Sequence, residues 1–79
     1  MENRELTLGE KRVGINFNPT ENMTVKETKT FYAKEIDRLE ALRNDILDKP
    51  ASAERQRTIS RAQTLAEDAC MLAVLCLFQ

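Results

Sequence analysis

The chain has 79 residues, 12 of them Lys or Arg and 13 Asp or Glu, with no His, no Trp and two Cys, for a formal net charge of −1. That length holds one domain, and so even a charge balance excludes a general DNA or polyphosphate coat, which needs a field of excess cations; any bound anion must be small and locally held. Without His, and with Cys70 and Cys76 about 240° apart on one predicted helix, neither a zinc set nor an internal disulfide is available, so both thiols are expected as small buried apolar residues and no metal or cofactor is expected.

Met1 to Glu10 is rich in acidic and polar residues and lacks the pattern of a cleaved leader. Within it, Leu6 and Leu8 give too little periodicity for more than a short helical turn or an ordered arm. From Lys11 the text KRVGINFNPT alternates Val13, Ile15 and Phe17 with Gly14, Asn16 and Asn18. This is the period of an extended segment with one apolar side, ended by a turn at Asn18-Pro19-Thr20. Residues 1–20 are therefore expected as an N-terminal extended arm laid over a hydrophobic surface.

Helix one is expected over about 21–48, roughly 36 Å long, with Thr24 and Glu27 at capping-box spacing. Val25, Tyr32, Ile36, Leu39 and Ile46 make its apolar stripe, widened by Phe31, Leu42 and Leu47, while Glu35–Arg38 and Glu40–Arg43 stand at i,i+3 and contribute tenths of a kcal/mol each. Pro50 stops it, and Ser52 caps helix two, expected over about 52–78. The short connection predicts an antiparallel hairpin.

Helix two carries Ile59, Ala62, Leu65, Ala66, Ala69, Leu72, Ala73 and Cys76 on its expected inner face. Its last turns, Ala69 to Phe78 (ACMLAVLCLF), hold no charge. A helix apolar all round asks for burial on every side, and a chain this short cannot supply it alone, so an obligate homo-oligomer is predicted. The same run is about half the roughly 20 residues that span a bilayer, which with the missing leader predicts a cytosolic protein.

Catalysis finds little support. Ser52 and Ser60 have no evident base, Glu67 and Asp68 point about 100° apart and are better read as helix charge, and Gly9 and Gly14 form no phosphate loop. What remains is a set of cations bordering apolar surface: Lys11 and Arg12, Lys26 and Lys29, and Arg57 with Arg61 at i,i+4. Any of them could hold a phosphate, Lys as a point charge and Arg as a fork, or be solvated surface charge. Thr64 is either back-bonded to its own helix or a ligand contact. Phe17 and Tyr32 could stack on a base or belong to the core.

Arg12 to Thr20 (RVGINFNPT), with Val25, Lys29 and Glu35-Ile36-Asp37, and again Thr64 with Ala66 to Val74 (AEDACMLAV), resembles the phage anti-CBASS nucleotide-sponge family, which shares a hairpin domain with the Thoeris anti-defence sponges. The resemblance runs from about Gly9 to Ala73. It implies an all-helical hairpin assembled into a compact hexamer. It also implies that the chain acts in the infected bacterial host, binding cyclic di- and trinucleotides without cleaving them. Dinucleotide pockets would lie between protomers, and trinucleotide pockets where three protomers meet. By the same resemblance Lys29 contacts a ligand phosphate, Arg12 lies in the ligand-binding arm and Thr64 belongs to the trinucleotide pocket. Many relatives carry Tyr where this chain has Lys11, which offers charge or a cation–π contact rather than stacking area, and some carry an Arg where it has Gln63, with Arg61 nearby. The expected ligand-binding set is thus Lys11, Arg12, Phe17, Lys29, Tyr32, Arg61 and Thr64. The alternative is a helical inhibitor or adaptor that binds a host protein and whose cations are merely solvated.

Overall fold

Thr7 and Glu10 stand three apart, and in the structure they close on each other. The Thr7 hydroxyl accepts from the Glu10 amide at 3.1 Å and the Thr7 amide donates to Glu10 Oε1 at 2.9 Å, a complete capping box. The computed structural model describes residues 5–17, 22–44 and 52–79. They form three helices, α1 (Leu8–Val13), α2 (Met23–Ala41) and α3 (Ala53–Cys76), with no strand among the described residues.

The extended arm is therefore corrected at Lys11, Arg12 and Val13, which lie in α1. Gly14 ends that helix at φ 64°, donating to Lys11 O, while the Ile15 amide reaches back to Glu10 O at 3.0 Å. These two bonds are a Schellman closure. The Val13/Ile15 alternation is thus a helix end followed by its left-handed cap, not a strand.

Asn22, rather than Thr24, caps α2, its side-chain oxygen accepting from the Thr24 and Val25 amides at 2.8 and 3.3 Å. The helix is also shorter than expected: it ends at Ala41, where the Leu42 and Arg43 amides bond three residues back and tighten the last turn. Ile46, Leu47 and the Pro50 stop lie outside the described residues. The cap of α3 is Ser52, as expected, its hydroxyl accepting from the Arg55 amide at 3.0 Å.

The core is small. Val25, Lys29, Ala33 and Ile36 are buried on α2 at i, i+4, i+8 and i+11, facing Ile59, Gln63 and Cys70 of α3, and α1 presses Gly9 onto α2. The expected inner face of α3 is therefore rotated. Leu65 and Leu72 point away from α2, 57% and 63% exposed, and Cys76 is exposed as well, which corrects the expectation that both thiols are buried. Phe31 is likewise exposed. Within one chain the dry stretch is covered on one side only: Cys70 is buried while Met71, Leu72, Leu75, Leu77 and Phe78 are open.

Polar residues join the helices where α2 ends. Arg43 donates to Glu40 Oε1 at 2.7 Å, Gln56 Oε1 at 2.9 Å, Ser60 Oγ at 2.8 Å and Gln63 Oε1 at 2.7 Å. Gln63, 1% exposed, donates in turn to the Ile36 carbonyl at 3.2 Å and Glu40 Oε1 at 3.0 Å. The i,i+3 pair Glu40–Arg43 anticipated on the surface is thus part of a shared network. The other, Glu35–Arg38, is a long 3.4 Å contact on the outside.

Hydrogen bonds from Gln63 and then Arg43 hold the Glu40 carboxyl below its ordinary value of 4.5. A carboxylate lowered on folding contributes stability that is complete above its unfolded pKa and fades as pH falls through the folded one. Stability should therefore decline below about pH 4.5, and Glu40→Gln should flatten that decline in acid-range urea titrations; an unchanged slope would remove Glu40 as its source.

Candidate functional site

The Schellman closure turns the chain back over the C-terminal half of α3, and a cleft of about 400 Å³ opens between them. Arg12, Val13 and Phe17 form one wall, Cys70, Met71 and Val74 the other, with Lys29 and Glu67 also lining it. Leu75 and Phe78 extend it toward the end of α3. The lining is chiefly apolar, with charge concentrated in three residues.

Each charge is engaged. Arg12 Nε donates to Glu67 Oε1 at 2.7 Å, and its Nη2 reaches Thr64 Oγ1 at 3.4 Å. Lys29, 8% exposed, donates from Nζ to the carbonyls of Gly14, at 3.0 Å, and Phe17, and that nitrogen lies 5.6 Å from the Phe17 ring centroid. Burial pushes the Cys70 thiol up, against the pull of the Lys29 charge, so it stays protonated at neutral pH and lines the cleft as an apolar group.

Of the seven expected ligand-binding residues, the fold brings four together. Arg12, Phe17 and Lys29 line the cleft, and Thr64 joins it through Arg12. Thr64 is thereby an acceptor for another element. Lys11 lies in a separate shallow groove with Leu6, Glu10 and Ile15, which Phe17 shares from its other side. Tyr32 is half-buried and packs edge-on against Phe31, ring centroids 5.1 Å apart at 88°, away from the cleft lining. Arg61 is exposed on an open surface with Gln56, Arg57, Thr58 and Ser60.

Glu67 was legible only as helix charge. Its partner Arg12 is 55 positions away, and the local signal was its i,i+3 spacing from both Thr64 and Cys70, which makes it a helix-surface neighbour of each. Among the described residues no group of three His, Cys, Asp or Glu could hold a metal ion, and no helix is long and apolar enough to cross a membrane. Comparison with protein-family models, curated proteins and solved structures finds no match.

Proposed function

We propose that this chain sequesters a cyclic di- or trinucleotide second messenger, without cleaving it, in pockets that neighbouring copies of the chain complete. The observation that carries the reading is the convergence of Arg12, Phe17, Lys29 and Thr64, from three elements, on one apolar cleft. A guanidinium suits a phosphodiester and an aromatic face suits a base of any identity. On this reading α2 and α3 are the arms of an antiparallel hairpin, six hairpins make a compact assembly, and the protein works in the cytoplasm of an infected bacterium to keep the signal from its effector.

Two features support assembly. The Cα trace measures 44 × 34 × 15 Å, so α2 and α3 lie in a slab one helix deep, and among the described residues no helix covers the side of α3 that carries Leu65 and Leu72. The chain also exposes 6125 Å², where a compact monomer of this size exposes about 4,900 Å². Leu65, Leu72 and Leu75 are then the surface that a second copy covers.

Sequestration acts by mass action, so it requires affinity rather than turnover; a nanomolar Kd corresponds to about −12 kcal/mol, within reach of a few phosphate and stacking contacts in a preformed site. Calorimetry against a panel of cyclic di- and trinucleotides, with linear dinucleotides as controls and oligomer size followed by light scattering, tests it. Selective binding of cyclic ligands, intact ligand recovered on denaturation, and severely weakened or abolished binding in a Lys29→Ala oligomer of unchanged size are expected. No binding by a well-folded oligomer would refute it.

A second reading, a helical inhibitor or adaptor of a host protein, is favoured by the internal engagement of Arg12 and Lys29 and by the open apolar side of α3. It predicts capture of a host protein and no response to any nucleotide.

A further inference from the structure

Lysine is seldom buried without a compensating partner. Lys29 is buried on the core side of α2, yet among the described residues no carboxylate pairs with it. Its acceptors are two backbone carbonyls, Gly14 O and Phe17 O, at either end of the turn that follows α1. The same turn is closed from within by the Phe17 amide, which donates to Gly14 O at 2.9 Å. A flexible four-carbon stem ending in three donors is suited to drawing two carbonyls together.

Phe17 is otherwise weakly held. Its side of the cleft is open and it is 74% exposed, so burial does little to fix the ring; the carbonyl bonds and the ammonium 5.6 Å from its centroid do. Gly14, in the left-handed region at φ 64°, supplies the bend that lets the turn come back over Lys29.

We infer that Lys29 is a positioning residue, a clasp that fixes Phe17 at the mouth of the cleft as a preformed stacking face, and that it serves the ligand through Phe17 rather than as the partner of a phosphate. The inference rests on the sequestration reading for its ligand, whereas the clasp itself is a property of the free protein. Arg12 is then the cation left to meet a phosphate, by exchanging Glu67 for the ligand.

Two measurements test it. In ligand-free protein, Lys29→Met should speed hydrogen exchange at the Phe17 and Ile15 amides by tenfold or more, roughly the release of one hydrogen-bonded turn, while amides in the middle of α3 keep their protection. Lys29→Gln, with two donors on a shorter stem, serves where the Met variant does not fold, and should show the same loss of protection. In calorimetry with the cyclic dinucleotide that binds best, Lys29→Met and Phe17→Ala should each weaken affinity by about tenfold or more, the scale of one lost base stack, and the double variant no further.

Losses that multiply in the double variant would make Lys29 a direct ligand contact and overturn the inference, as would unchanged exchange at Phe17. If the wild-type protein binds no cyclic nucleotide, the sequestration reading falls while the exchange result alone decides the clasp.

Discussion

Gly9→Ala should destabilise the protein by about 3 kcal/mol, although alanine is the better helix former by about 1 kcal/mol. Gly9 lies in α1, where its backbone meets α2 directly: a Cβ there would stand 2.0 Å from the Ala33 carbonyl oxygen and 2.7 Å from its carbon, with Asp37 Oδ1 at 2.9 Å. Asp37 could rotate away, but the Ala33 carbonyl is part of the α2 backbone and cannot. The added methyl must therefore lift α1. That breaks the 2.7 Å bond from the Gly9 amide to Asp37 and loosens the turn that Lys29 holds. Steric cost and helix propensity oppose each other here, so the sign of the change decides between them. Urea unfolding is the measurement, with Gly14→Ala as comparison. At Gly14 the new Cβ meets only Phe17 Cβ at 3.8 Å, and the penalty is the left-handed backbone alone, about 1 kcal/mol. A stabilised Gly9→Ala protein would show that α1 does not approach α2 so closely.

Gln63→Met should cost about 2 kcal/mol, and adding Arg43→Met should cost less than the sum of the two single changes. Gln63 is nearly fully buried and links three groups: it accepts from Arg43 and donates to Glu40 and to the Ile36 carbonyl. Methionine fills the volume but leaves an Arg43 donor and a Glu40 lone pair short of a partner, and unsatisfied groups cost more than the bonds themselves contribute. Removing Arg43 as well takes away the group that was stranded. Equilibrium denaturation of the four proteins gives the coupling, expected at about 1 kcal/mol or more for residues in one network. Additive losses would mean that Arg43 is satisfied by Gln56 and Ser60 without Gln63.

These two contacts also bear on the cleft. Gly9 on Ala33 seats α1, and so carries Arg12 to Glu67 and Gly14 to Lys29; the Arg43 network fixes α3 against α2 at the far end from the cleft. A variant that loosens either should blur the site before it unfolds the protein.

The sequence by itself determined the helical class, the Ser52 cap and nearly the whole of α3, because these follow from local rules: apolar spacing and a capping side chain. The Thr7–Glu10 box has the same capping-box spacing as Thr24–Glu27, yet with only Leu6 and Leu8 as apolar periodicity it does not read as a helix start, and the period-two run after it reads as an extended arm because Gly14 in its left-handed cap mimics alternation. Only the tertiary structure decided which side of α3 faces inward. Periodicity favoured the richer apolar stripe through Leu65 and Leu72, whereas the buried stripe runs through Ile59, Gln63 and Cys70, because the polar end groups of Gln63 and Lys29 found partners on other elements. The pairing of Arg12 with Glu67, and the split of Lys11, Tyr32 and Arg61 from the cleft, were decided there too. The physical reason is the same in each case: a buried polar side chain is tolerated where a distant donor or acceptor meets it, and the distance that matters is through space, which spacing along one helix does not encode.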